Sequence, residues 1–321
     1  MSDEKFDIPF KSPTLPKVLE PGSKLKFNCH PGISCFNACC KMSDITLAPY
    51  DILRLKRRMG MTSEEFLREY TYPFAMDQDK VPGLKLKTDD EGACLFLDPE
   101  KGCTVYEDRP TVCRYYPLAM LTIREKDSSQ PKTQYSLVME EHCKGHEEDR
   151  EITVEEYRKE QGCDEFDFYN QGWYELILKK KSAGPGVGKP SEMSLQLFFM
   201  ASYNTDMFRR FVLSDKFKAS YDIPEETYEQ IEKDDVALLQ FAYKFMRQAL
   251  FGEKLVPEKP GAWEKRVAER REIWEARTRA EIEARNRQVE EMMRKETLGE
   301  GETDTTPDPG DNECGCNLED R

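Results

Sequence analysis

Eleven cysteines stand in this chain, and the eight that gather between positions 29 and 143 constrain it more than any other feature. The first group reads Cys29-His30-Pro31-Gly32-Ile33-Ser34-Cys35-Phe36-Asn37-Ala38-Cys39-Cys40, four thiols within twelve residues. The second is spread over Cys94, Cys103, Cys113 and Cys143. Short loops close at low entropic cost, so sulfurs at such spacings are able to surround one centre at the roughly 2.3 Å of a metal–thiolate bond. Neighbouring side chains point apart. Cys39 and Cys40 are therefore not expected to serve one mononuclear site together, and one of them is expected to face a second centre or a substrate. Eight thiols make two four-thiolate sites, or one such site with redox or structural thiols left over.

The start Met1-Ser2-Asp3-Glu4-Lys5 has neither a basic nor an apolar leader region, and no apolar run approaches the ~18 residues of a spanning helix. A cytoplasmic location without membrane insertion is the expectation. In a reducing compartment, clustered cysteines are metal ligands or redox groups rather than disulfides. The net charge of −14 argues against a nonspecific nucleic-acid surface, which needs Lys and Arg to neutralise phosphate. Half of that charge is local: Leu298–Arg321 holds eight acidic residues against one arginine, a net of −7.

The predicted fold class is α+β. A small irregular cysteine-rich metal-binding domain of short strands and helices is followed by a mainly helical C-terminal part. Residues 1–26 read as an extended arm, 27–178 as the cysteine-cluster domain, 179–191 as a linker, 192–256 as a helical region, 257–297 as a long charged helix and 298–321 as a disordered acidic tail. Pro49 to Met59 is predicted helical and ends at Gly60. Thr62 with Glu65 forms a capping box, with Met61 packing on Phe66, and starts a helix that runs to about Tyr70. Thr153 with Glu156 repeats the box ahead of a helix that breaks at Gly162 and resumes. Leu195–Leu213 and Pro224–Phe251 read as amphipathic helices. Trp263, Val267, Trp274, Ile282, Val289 and Met293 form a narrow stripe on the charged helix, which reads first as one long solvated helix and, as the alternative, as a coiled-coil or docking face for an unidentified protein partner.

The Gly102–Pro117 stretch, Gly-Cys-Thr-Val-Tyr-Glu-Asp-Arg-Pro-Thr-Val-Cys-Arg-Tyr-Tyr-Pro, carries a specific resemblance. Together with the Cys29–Cys40 opening, the Ala48-Pro49-Tyr50-Asp51-Ile52 helix start, Met61–Leu67 and Cys143, it resembles the bacterial and archaeal cysteine-cluster proteins known for a CxxCxxCC opening. The resemblance covers roughly residues 29 to 146. Its opening differs in spacing, with five residues between Cys29 and Cys35 and three before Cys39. The resemblance implies a zinc- or iron-chelating domain with Cys29, Cys35, Cys39, Cys40, Cys94, Cys103, Cys113 and Cys143 as ligands. It favours an iron-sulfur cluster, of the 4Fe–4S type, over Zn²⁺.

Arg109 and Arg114 flank Cys113 and read as second-shell candidates, able to hydrogen-bond sulfur or bind a carboxylate. The structural alternative, pairing with Glu107, Asp108 or Asp51, is favoured. Tyr106, Tyr115 and Tyr116 read as packing residues, and His142 and His146 as bystanders to eight thiols. Cys163 and the tail pair Cys314 and Cys316 are optional ligands. The sequence thus points to a metalloprotein used in electron transfer or a redox reaction. A zinc-stapled adaptor or assembly protein, or a protein-modifying enzyme of the lysine-methylase type, are the alternatives, and whether the chain is an enzyme at all stays open.

Overall fold

The computed structural model describes residues 18–41, 44–124, 131–182 and 190–297; the tail pair Cys314 and Cys316 lies outside them. Beyond Val18 the expected arm is already part of the fold. Leu19 exchanges two backbone hydrogen bonds with Tyr135, at 2.7 and 3.1 Å. Strand β1 (Lys24–Lys26) then pairs antiparallel with Glu151–Thr153. The physical reason is the alternation Lys24-Leu25-Lys26, which turns Leu25 inward and both lysines to water. Leu19, Leu25 and Phe27 are all buried.

Strand β2 (Thr46–Leu47) leads into helix α1 (Pro49–Met59), whose start is fixed by Pro49 and by the Ala48 amide donating to Asp51 Oδ2 at 2.8 Å. Gly60 ends it at φ 65°, the left-handed conformation that suits glycine at a helix C-terminus. Helix α2 (Ser63–Tyr70) opens with the predicted capping box: the Glu65 amide donates to Thr62 Oγ1 at 3.3 Å, and the Thr62 amide to Glu65 Oε2 at 2.8 Å. Strands β3 (Thr71–Ala75) and β4 (Pro82–Leu86) follow, and β4 lies between β2 and β3 in a three-stranded antiparallel sheet.

The segment bearing the second cysteine group is built from small pieces. Strand β5 (Leu97–Asp98) pairs with β6 (Gly102–Cys103), a 3₁₀ turn spans Tyr106–Asp108, and α3 (Thr111–Tyr115) carries Cys113. Strands β7 (Leu118–Arg124) and β8 (Pro131–Leu137) form a hairpin-like pair, and β9 (Glu151–Thr153) completes the β1 pair. Helix α4 (Val154–Glu160) begins at the second predicted capping box, and Gly162, at φ 66°, separates it from α5 (Cys163–Ser182).

Helix α5 runs through Ser182, so Lys179–Ser182 form its last turn where a linker was expected. The three lysines there lie at a helix C-terminus, where positive charge is stabilising, and Lys179 and Lys180 bond to Glu253 and to Asp77 and Asp79. Helices α6 (Glu192–Tyr203), α7 (Thr205–Val212), α8 (Asp215–Ser220), α9 (Glu225–Lys233) and α10 (Asp235–Phe251) complete residues 1–259, one of two compact units. Each of the two expected helical stretches is cut in two, because Asn204 and Asp234 cap a new helix with a side-chain oxygen, and α8, capped by Ser214, is an additional helix between the two stretches.

The chain is α+β, and two hydrophobic cores hold the first unit. The larger joins α1 and α2 with α5–α10 through residues such as Leu53, Phe66, Phe166, Tyr203 and Leu238, and Cys94 and Cys103 pack against it. The smaller contains Leu19, Leu25, Phe27, Tyr115, Leu118, Tyr135, Val154, Tyr157 and Cys163, and Cys143 packs against it. The second unit contains helix α11 (Ala262–Thr297), which leaves Trp263, Ile282, Val289 and Met293 exposed. Among the described residues, no helix is long and apolar enough to cross a membrane.

Candidate metal centre

Two thiols of the second group, those of Cys94 and Cys103, are aimed by short-range backbone hydrogen bonds. The Cys94 amide donates to the Cys40 carbonyl at 2.9 Å, which joins the two cysteine groups directly. Cys94 Sγ accepts from the Phe96 amide and Cys103 Sγ from the Val105 amide, two turns of the same kind on either side of the β5–β6 pair. An N–H donated to sulfur favours the thiolate. On the other side, Cys35 Sγ accepts from the Lys144 amide at 3.1 Å, which binds the first cysteine group to the segment after Cys143.

Cys113 is placed by a buried polar bracket. Asp51 Oδ1 accepts from the Thr111 amide at 3.0 Å and from its hydroxyl at 2.6 Å, so α1 holds the first turn of the helix that carries Cys113. Asn170 of α5 accepts from the Tyr50 amide at 2.9 Å and approaches the Thr111 hydroxyl at 3.5 Å. Asp51 and Asn170 are both fully buried. Burial pushes the Asp51 carboxyl up to about 6, against the opposing pull of Thr111 and Ala48. Asn170 was not singled out from sequence; its signal is an amide on the apolar face that also carries Phe166 and Trp173.

Electrostatic interactions group the thiols around Cys29 and around Cys113, with Cys39 in range of both. Cys29 lies within electrostatic range of Cys35, Cys39 and Cys143. Cys40 lies within range of Cys94 and Cys113, and Cys113 within range of Cys94, Cys103 and Cys39. Burial pushes the Cys29 thiol up to about 11 and raises Cys94, Cys103 and Cys113 as well. The Cys40 thiol donates to Cys39, which lowers Cys39 and, with burial, raises Cys40. Thiols raised by desolvation are poor anions until a cation joins them, which a metal does.

The donor set suits zinc or iron, since soft thiolates select these metals. Among the described residues, no three His, Cys, Asp or Glu side chains stand in metal-holding geometry; the sulfurs are neighbours rather than a closed coordination shell. Burial, with hydrogen bonds to Cys143 and Glu140, raises the Tyr116 hydroxyl, which places this ring against the Cys143 thiol.

The remaining candidates divide clearly. Arg114 donates to the carbonyls of Arg109 (3.1 Å), Gln161 (2.8 Å) and Glu107, and its guanidinium lies 3.8 Å from the Phe166 ring centre. Arg109 donates to the Tyr106 carbonyl at 2.6 Å and to Gln161 Oε1 at 2.7 Å. The expected carboxylate partners are replaced by backbone oxygens, because the loop from Glu107 to Arg109 turns its carbonyls inward toward the two guanidiniums. Arg109 still acts on Cys103 through its charge, favouring the thiolate. His146 Nε2 meets the Val138 carbonyl at 3.0 Å, and His142 pairs with Glu140 at 3.5 Å. Cys163 is fully buried in the smaller core, beside Asp167 and Arg158.

Residues 28–144 match the model of the family CxxCxxCC, whose description is "Putative zinc- or iron-chelating domain". No curated protein and no solved structure matches the chain.

Proposed function

From the chelating domain carried by residues 28–144, we propose that this protein holds metal in two four-thiolate centres. One uses Cys29, Cys35, Cys39 and Cys143; the other uses Cys40, Cys94, Cys103 and Cys113. The carrying observation is that Cys29 interacts electrostatically with Cys35, Cys39 and Cys143, while Cys40 interacts with Cys94 and Cys113, and Cys113 with Cys103. In this reading the adjacent pair supplies one ligand to each centre.

The metal in this reading is iron, as 4Fe–4S clusters, and the role is electron transfer or a redox reaction in the cytoplasm. Such clusters would supply one-electron chemistry. The chain's own residues bring the N–H donors of Phe96, Val105 and Lys144 to sulfur and the positive charge of Arg109 near Cys103, both of which tune a thiolate-held centre. A second reading, zinc in both centres, is favoured by the packing of Cys94 and Cys103 against the main core, the setting of a closed structural site.

Anaerobic purification followed by a visible spectrum and elemental analysis tests both. Two clusters predict a brown protein with about eight iron and eight acid-labile sulfide per chain. A colourless protein with about two zinc per chain supports the second reading. Folded protein with free thiols and no metal overturns the proposal.

A further inference from the structure

The last turns of α1 carry a charge problem that the fold solves only in part. Arg54, Arg57 and Arg58 share one helix face at spacings of three and four, where like charges repel. Arg54 is neutralised: it bonds to Asp108 at 2.7 Å and to Glu165 at 2.7 Å. Arg58 has only a 3.7 Å contact with Asp108, whose charge Arg54 already uses. Arg57 is exposed and has no partner among the described residues. Carboxylates are plentiful in a chain of net charge −14, yet neither of these two exposed arginines has one to itself. Elsewhere in the same unit Arg68, Arg150, Arg158, Arg209, Arg210 and Arg247 each meet one within 3 Å.

These arginines line a cleft. Tyr50, Arg54, Arg57, Arg58, Asp108 and Glu165 surround a space of about 340 Å³, near the lower end of the range for small-molecule sites. Its floor is tied together by hydrogen bonds: the Tyr50 hydroxyl donates to Glu165 at 2.7 Å, and Arg54 donates to the same Glu165 oxygen at 2.7 Å. The cleft also adjoins the second cysteine set. Asp108 lies in the turn between Cys103 and Cys113, and the Phe166 ring is shared by Arg54 (5.4 Å) and by Arg114 (3.8 Å), the residue after Cys113.

We propose that this cleft binds the oxyanion of a small molecule, a carboxylate or a phosphate, with Arg57 and Arg58 as its ligands. A guanidinium fork matches either anion in a bidentate manner. The fixed acids Asp108 and Glu165 are spent on Arg54, so the free positive charge is that of Arg57 and Arg58. The space is open to solvent on one side and accommodates a short organic acid or a phosphorylated fragment. The last turn of a helix also favours cations, but that interaction alone does not account for Asp108 and Glu165 being held by Arg54 beside them.

The test is isothermal titration of the full-length protein, as purified, with inorganic phosphate and separately with succinate, against sodium chloride at matched ionic strength. Saturable binding of phosphate or succinate, weakened roughly 10–100-fold by Arg57→Ala/Arg58→Ala, is the expected result. The stronger of the two probes identifies the anion. Binding no greater than that of chloride, or equal binding by the double variant, overturns the proposal. Metal content measured on both proteins keeps this outcome separate from the metal reading, because both arginines are exposed and none of their contacts is to a cysteine.

Discussion

Asp51 and Thr111 stand sixty positions apart and are joined by two hydrogen bonds, 3.0 Å from the Thr111 amide and 2.6 Å from its hydroxyl. That bracket ties the start of α1 to the helix that presents Cys113. Replacing Asp51 with Ala leaves the buried amides of Ala48 and Thr111 and the Thr111 hydroxyl without acceptors, each worth about 1–3 kcal/mol. Asp51→Asn keeps one good acceptor and should cost about 1–3 kcal/mol. Urea denaturation of both variants checks the order, wild type above Asn above Ala. An unchanged midpoint for Asp51→Ala would remove the bracket from the account of how Cys113 is placed.

The proposed division of Cys39 and Cys40 between two centres makes a stoichiometric prediction. Cys39→Ser and Cys40→Ser should each lose about half the bound metal, since a hydroxyl is a poor substitute for a thiolate ligand. Cys113→Ser combined with Cys40→Ser should lose no more than Cys40→Ser alone, while Cys29→Ser combined with Cys40→Ser should lose nearly all. Elemental analysis of purified variants reads this directly. Equal losses from both double variants would show that the eight thiols act as one centre.

Much of this was legible in sequence because it is local. The helix at Pro49–Met59, both capping boxes and the break at Gly162 follow from residues within one turn of each other. The eight cysteines were readable as a group, but the expectation that the neighbouring side chains of Cys39 and Cys40 point apart is not met, since the Cys40 thiol hydrogen-bonds to Cys39. What the sequence did not show depends on distant partners. Leu19 and Leu25 looked like parts of a polar arm until Tyr135 and Ile152 gave them a core, across more than a hundred residues. Arg114 was expected to pair with a carboxylate, because the three carbonyls that satisfy it cannot be seen in a string of letters.

Acid should loosen α1 from the helices around it. Lys56, nearly buried, meets Asp206 and Asp235 at 3.3 Å each, and Arg209 bonds to both acids as well. Burial opposes ionisation of both acids. The Ser63 amide and Lys56 at Asp206, and Arg209 and Lys56 at Asp235, outweigh it and hold both below the usual carboxylate value of 3.8. A carboxyl with a lowered folded-state value binds its proton more readily when unfolded. Its contribution is therefore present above about 3.8 and lost as pH falls further. The slope of unfolding free energy against pH below 4 should shrink in Asp206→Asn/Asp235→Asn. An identical slope in the variant would place the acid sensitivity elsewhere.

Gly172 should be the point where α5 and α10 are least tolerant of added volume. A Cβ built there would lie 2.6 Å from Tyr243 Cδ2 and 3.1 Å from Tyr243 Cβ. The ring end could swing aside, but Cβ moves only with the α10 backbone, and Tyr243 is buried. Two effects compete in Gly172→Ala. Helix propensity favours alanine by about 1 kcal/mol, while overpacking a close helix contact costs about 1–3 kcal/mol. Because the near contact includes main-chain-anchored atoms, overpacking should win and lower stability by about 1–2 kcal/mol. Gly22→Ala, with no atom within 4 Å of the added carbon, should stay within about 0.5 kcal/mol of wild type. Thermal unfolding of the two variants side by side checks the claim. A Gly172→Ala protein as stable as Gly22→Ala would mean that α5 and α10 separate more easily than their packing implies.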